Sequence, residues 1–489
     1  MAPAKALQIE VNGINVIPDD ERHGNPRSLF WPWATASISI FNVSIAALLA
    51  AFGMGFLGAA LAALIGITVS FFLVGLIGLA GKRAAAPTMV ISRAAFGVRG
   101  NAVPTAVSYL TLVGWEIVVV ATTVMAATTV FQRLGWPAGT AVEVIVFAVV
   151  VAVVVAAGVV GIRLVTRFQT VVTIAAIALT IAYIAMTVGT VNWAALAAGG
   201  ELGAGEFIGA IVVAMAAFGL GWTNSGADYS RYLPRNSSGR AIVAWTTFAG
   251  SVVPVVLVVY GLMLVTSNPA MSGALADNPI GALIELLPTS ALILLPFLLI
   301  MSLSATGSGA MDLYSSGFSL LTLGLRVPRA AAAGIDGVLM TLGSIYLLWF
   351  AGSFFGPFEG FLIFLGVPLS AWAGAFIADA MSRTQDYAGG ELADPQGRYG
   401  AVGWPALLSM VTGTVVGWGL VVSDVRTPAL NWQGFIFDAL GVAQDSVWRA
   451  CNVGVIVALI IGLVGTLLFG RRRIARQEGR VGEPTRSSA

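Results

Sequence analysis

From Leu29 to Gly470 the chain is a succession of long apolar runs separated by short charged or Pro- and Gly-rich stretches. About 20 predominantly apolar residues are needed to cross a hydrocarbon core as a helix. The pattern predicts helices at 29–53, 55–81, 101–131, 137–161, 164–189 and 205–225, then at 240–266, 290–323, 329–351, 355–381, 403–423 and 449–470. The expected fold class is an all-α integral membrane protein with 12 transmembrane helices. The Pro- and Gly-rich connection 267–289 is expected to carry a short interfacial helix, and the polar link 382–402 to be a solvated loop.

One run breaks its own pattern. In A-F-G-L-G-W-T-N-S-G-A-D-Y-S-R-Y-L-P (217–234), Gly219, Gly221 and Gly226 each weaken a helix by roughly 1 kcal/mol relative to Ala. Lipid cannot satisfy the N–H and C=O groups that a weakened helix frees, so such a break has to line a cavity or be buried in protein. In secondary transporters broken helices of this kind hold substrate and coupling ion. The first helix carries a similar irregularity, with Pro32, Thr35, Ser37, Ser39 and Asn42 inside its apolar span. Hydroxyls in membrane helices also simply bond their own backbone.

Composition agrees with the pattern. Hydrophobic residues make up 58% and charged residues 10% of the 489, against roughly 25% charged in soluble domains. The single Cys451 excludes a disulfide framework or a cysteine metal cluster, and the single His23 lies outside the apolar runs, which excludes a buried histidine relay. The first 28 residues lack an apolar core segment, so no cleaved signal peptide is expected.

The placement of charge fixes an orientation. With the N-terminus inside, 22 of the 25 basic residues fall in inside segments; only Arg133, Arg426 and Arg449 fall outside. Cytoplasmic tails at 1–28 and 471–489 in a cell-membrane protein are therefore expected. Blocks 29–190 (helices 1–5) and 205–381 (helices 6–10) then have opposite topology, which permits an inverted repeat, with helices 11 and 12 (403–470) added.

Ionisable groups at membrane depth are functional candidates because each costs about 2.5–3.5 kcal/mol at the bilayer centre on insertion scales. Asp312, in G-S-G-A-M-D-L-Y-S-S-G, lies deep in helix 8, and Glu116 near the middle of helix 3. Asp336 and Asp379 lie toward helix ends, and Glu143 within reach of the interface. Ser308 and Asp312 share a helix face, with Ser304 one further turn away and Thr306 between them. Those hydroxyls, beside freed carbonyls of helix 1, suit sodium; a buried carboxylate equally suits a proton. Trp115, Phe218 and Trp222 suit the sandwiching of a flat ring. Adjacent helical residues point about 100° apart, so Trp115 and Glu116 need not line one cavity. No zinc-protease, Walker or dinucleotide motif is present, nor the repeated polar rings of a channel filter. An embedded enzyme would have Asp312 with Glu116 as its only candidate pair.

I-P-D-D-E-R (17–22), I-S-R-A-A-F-G-V-R-G-N-A-V-P (91–104), V-G-W (113–115), A-D-Y-S-R-Y-L-P (227–234) and I-A-D (377–379) resemble the nucleobase:cation symporter-1 family, in particular its purine-cytosine permease branch. The resemblance spans about 15–470 and implies a leucine-transporter-type fold, a five-plus-five inverted repeat with two additional helices. It implies symport of a nucleobase or related planar heterocycle, with allantoin, hydantoin, pyridoxine and thiamine as alternatives. Trp115 matches the family's stacking tryptophan, and Phe218 or Gly219 the second stacking position. Ser39 matches a substrate-contacting amide of helix 1, and Asp312 a substrate-binding asparagine of the hydantoin transporters. The family's sodium site maps to carbonyls near Thr35 and Ile38 and, for its two adjacent hydroxyls, to positions Thr306 and Gly307. Gly307 carries no hydroxyl unless Ser308 substitutes, and this favours a coupling proton over sodium, with Asp312 and Glu116 its candidate carriers. No other cofactor and no nucleic-acid partner are expected; the partners are a small heterocycle and the lipid bilayer, and the oligomeric state is a monomer. In D-Y-S-R-Y-L-P the charged residues are expected at a cytoplasmic rim, in a structural or gating role.

Overall fold

The structure, a computed structural model, describes residues 13–160, 162–325, 327–422 and 432–479, without the side chains of 157–169, 329 and 330. Of the charge map, Lys5, Arg326, Arg426, Arg480 and Arg486 lie outside the described residues, as do the side chains of Arg163, Arg167 and Arg329. The principal helices are α1 (Phe30–Ser37), α2 (Gly55–Ala84), α3 (Ala102–Arg133), α4 (Thr140–Val160), α5 (Ile162–Thr187) and α6 (Ala204–Met215). They continue as α7 (Gly239–Ser267), α8 (Ala291–Thr322), α9 (Arg329–Trp349), α10 (Phe355–Ser382), α11 (Trp404–Gly419) and α12 (Gly454–Phe469). No strand occurs among the described residues.

By length and apolarity eight helices reach spanning dimensions, and ten do if each of two bent pairs is one span. The count of twelve is not reached on that measure, because α4 offers Thr140–Ala156 and α11 only 16 residues. The expected interfacial helix is present as Met271–Asp277 and Gly281–Ile284.

The first expected helix is broken. α1 ends at Ser37, residues 38–40 are non-helical, and the chain resumes as Phe41–Ala50 at 63° to its first half. The Asn42 side-chain amide donates to the Ser37 carbonyl at 2.7 Å, satisfying an oxygen that the break frees. α6 gives way at Ala216–Leu220 to a wider π-type turn in which Phe218 is non-helical (φ −124°, ψ −110°). The break thus centres on Phe218 rather than on the Gly219–Gly221 pair that the sequence points to. Gly219 serves close approach instead: a Cβ there would lie 2.5 Å from the Phe71 nitrogen on α2, and the Gly219 N–H donates to Ser70 Oγ at 3.1 Å.

Two segments depart from expectation. Residues 382–402 are a mostly irregular, partly exposed link, as expected, but one anchored in the protein rather than wholly solvated. Tyr387, Leu392 and Tyr399 are buried, and Arg383 pairs with Asp379 at 2.7 Å while its guanidinium lies over the Tyr387 and Tyr399 rings. Burial works against that charge, but the Asp379 carboxylate outweighs it and holds Arg383 above its usual range. Composition does not show these anchors, because a polar group that bonds another inside the protein counts the same as one that faces water. The basic segment after α12 forms a helix, Arg471–Gly479, whose Arg473 donates to the Ala94 and Ala95 carbonyls.

Candidate substrate cavity

The two helix breaks face one another across a small, partly open cavity of about 70 Å³. Its polar lining comes from the broken first helix (Ser37, Ser39, Asn42) and from α8 (Ser304, Ser308, Asp312). Its aromatic lining comes from Trp115 on α3, from Phe218 and Trp222 at the α6 break, and from Phe41 and Phe71. Ligand pockets run to about 300–1,000 Å³, so the side chains of this small cavity must part to admit a ring. A larger groove of about 920 Å³ lies between α2 and α7, but its wall is open and almost wholly apolar (Leu64, Phe72, Val243, Phe248, Val256), as suits lipid.

Asp312 is the distinctive group. It is 1% exposed, lines the cavity, and makes no hydrogen bond among the described residues. Buried carboxylates are ordinarily bonded, so an unpartnered one in a cavity wall is available to a ligand. Trp115 stands half-buried, held edge-on by Phe358 at 5.6 Å and Phe361 at 6.1 Å. Trp222 lines the same cavity and meets Trp33 edge-on at 5.9 Å. Ser39 lines it too, and its Oγ accepts from the Phe41 N–H at 3.3 Å, capping the second half of the broken helix.

The remaining candidates separate from the cavity. Thr35 hydroxyl donates to the Trp31 carbonyl and pairs with Thr173, both at 2.7 Å. Thr306 donates within its own helix to Ser302 at 2.8 Å. The hydroxyl that reaches the Ile38 carbonyl is that of Ser304, at 2.6 Å. Of the oxygens that the resemblance assigns to sodium, the Ile38 carbonyl thus accepts from Ser304 and the Thr306 hydroxyl bonds its own helix. Glu116 turns away from Trp115 and meets Ser316 and, beyond it, Asp336. Among the described residues no His, Cys, Asp or Glu cluster could hold a metal.

The D-Y-S-R-Y-L-P segment is not a solvated rim. Asp228 is 3% exposed; its Oδ1 accepts from the Thr88 N–H and hydroxyl at 2.8 and 2.7 Å, and its Oδ2 from Ser315 at 2.8 Å. Arg231 is fully buried, donating to the Gly13 carbonyl and to Tyr314 at 3.0 Å each, above the Phe318 ring. A count of charges per loop sees sign and position but not partners, which is why it places these groups at the surface.

Gly219→Ala tests the seam behind the cavity. The added Cβ meets the backbone of Ser70 and Phe71, which cannot swing aside, as well as the Ser70 hydroxyl. Overpacking of this kind costs about 1–3 kcal/mol, and a lower melting temperature in detergent is the expected reading. An unchanged melt would show that α2 and α6 separate freely.

Comparison with known proteins follows the same lines. Residues 16–443 match the family described as permease for cytosine/purines, uracil, thiamine, allantoin. A Bacillus subtilis (strain 168) protein named as a purine-cytosine permease, YxlA, is 24% identical over 420 residues, covering 83% of this chain and 86% of that one. Among solved structures, Mhp1, a nucleobase-cation-symport-1 family transporter in a closed conformation with bromovinylhydantoin bound, is similar with a TM-score of 0.68 at 18% identity, over 96% of this chain and 100% of that one. Inward-facing Mhp1 gives 0.68 at 20% identity, over 98% and 99%. A Na+-coupled sialic acid symporter in an outward-open state gives 0.59 at 12% identity, over 92% and 91%. The fold is thus of the leucine-transporter type.

Proposed function

The chain belongs to the family of permeases for cytosine/purines, uracil, thiamine and allantoin and is a membrane transporter rather than an enzyme; from that premise we propose that it imports a nucleobase, cytosine or a purine, by proton-coupled alternating access. The observation that carries the reading is the unpartnered Asp312 carboxylate in a cavity walled by Trp115, Phe218 and Trp222. A flat heterocycle stacks on the aromatic rings, and its ring N–H or exocyclic amine donates to Asp312. Ser39 and Asn42 add polar contacts from the first helix. A proton is favoured over sodium because Ser304 occupies the Ile38 carbonyl and Thr306 bonds its own helix. The protein acts as a monomer in the cell membrane with both termini in the cytoplasm, the orientation that the basic residues favour. The two blocks 29–190 and 205–381 move against one another as inverted repeats.

Uptake of radiolabelled cytosine, adenine and hypoxanthine by cells expressing the protein tests the substrate class. Failure of all three, with the protein correctly inserted, overturns it and turns attention to allantoin, hydantoin, pyridoxine and thiamine. Trp115→Ala is expected to weaken apparent affinity for the transported base by about 1–3 kcal/mol, the value of base–aromatic stacking, or roughly 5- to 150-fold. An unchanged KM would remove Trp115 from the ring's contacts.

A further inference from the structure

Behind the cavity wall, α3, α8 and α9 enclose two carboxyl groups that share one hydroxyl. Ser316 Oγ lies 3.1 Å from Glu116 Oε1 and 2.8 Å from Asp336 Oδ2, and all three residues are 0% exposed. A serine hydroxyl owns a single proton. It can donate to one carboxylate only, so the second contact is a hydrogen bond only if the other carboxyl is protonated and donates to Oγ. Were both ionised, one of the two contacts would set lone pair against lone pair in a buried site, and two like charges would share it uncompensated. Among the described residues no lysine or arginine pairs with either group.

The surroundings add one uncharged donor but no cation among the described residues. From α3 the Tyr109 hydroxyl faces Asp336, and from α8 Asp312 faces Glu116. α4 and α10, which also pack here, present apolar side chains, Val155 against Gly337 and Phe361 against Gly114.

We propose that Glu116 and Asp336 hold one exchangeable proton between them through Ser316, and that this pair is the site of the coupling proton. The proposal rests on the proton-symport reading above. Transfer needs no further reactant: Asp336 gives its proton to Oγ as the Oγ–H passes to Glu116, and the reverse exchange restores the start. The pair is read out at the substrate by short routes. Glu116 adjoins Trp115 in the sequence, and Ser316 lies one turn beyond Asp312 on the same face of α8.

The test uses purified protein in liposomes with a pH-sensitive dye inside and whichever of cytosine, adenine or hypoxanthine the wild type transports. The wild type is expected to move protons with the base and to accumulate it against its gradient. Asp336→Asn is expected to retain base-for-base exchange but to lose both accumulation and proton movement. Ser316→Thr, which keeps the hydroxyl, is expected to behave as wild type, and Ser316→Ala as Asp336→Asn. If the wild type accumulates base without moving protons, the symport reading itself fails. If the wild type is proton-coupled and Asp336→Asn is too, that reading stands and the shared-proton site is overturned. Should Asp336→Asn not fold, shown by loss of base-induced thermal stabilisation, Ser316→Ala decides in the same way, with undiminished proton movement as the refuting result.

Discussion

Asp228→Ala is expected to destabilise the protein by about 3–5 kcal/mol, the scale seen when one partner of a buried charged network is removed. Three donors converge on that carboxylate, two from Thr88 and one from Ser315, and none has water as an alternative. The Thr88 hydroxyl also accepts from the Ala227 N–H at 3.0 Å, so the network closes on itself. Removing the acceptor strands all three donors and leaves the buried Arg231 charge with less compensation. Asp228→Asn should lose much less, because its carbonyl still accepts from Thr88 and its amide can donate to Ser315. Melting in detergent separates the variants; an alanine variant that melts with the wild type would refute the clamp.

Asp312→Ala is expected to have the second large effect, on affinity rather than on stability. Because Asp312 has no hydrogen bond within the described protein to lose, truncation strands no internal donor. What is lost is the acceptor for a buried substrate donor, about 1–3 kcal/mol, which is roughly 5- to 140-fold at ~1.4 kcal/mol per decade. Asp312→Asn keeps one acceptor and should retain more affinity. Its gradient-driven accumulation should nevertheless fall, since the group one turn from Ser316 can no longer change charge. Comparing exchange with accumulation distinguishes the two roles. Unaltered accumulation would take Asp312 off the proton's route and leave it a substrate contact.

Much of the fold was legible because apolar run length directly measures a spanning helix. The expected ends of the seventh and eighth helices, 240–266 and 290–323, lie within a residue of α7 and α8. The α6 break was legible through its glycines, though displaced by one residue, since Gly219 is needed for contact with α2 while Phe218 carries the distortion. Asp312 stood out because a carboxylate in the middle of an apolar helix is expensive wherever it points. Its environment was not legible, and neither was the Glu116–Asp336 pair: their link through Ser316 joins positions 200 and 20 residues apart. Nothing local in either stretch signals it. The buried part of 382–402 was missed for the same reason: Arg383, a charge that suggests water, bonds Asp379 and Gln477 inside the protein.

The ties between the leader and the end of the α6 segment bear on the order of biosynthesis. Arg22 donates to the Leu233 carbonyl, the His23 N–H to that of Tyr232, and Arg231 to Gly13. These contacts bridge 211 and 218 residues. At about 5–20 residues per second, the leader waits roughly 10–40 s for its partner to emerge from the ribosome. Six apolar helices, α1 to α6, are made during that interval while Arg22 has no Leu233 to hold. A nascent chain arrested before Asp228 should therefore leave its leader open to protease, and one arrested well after Pro234 should protect it.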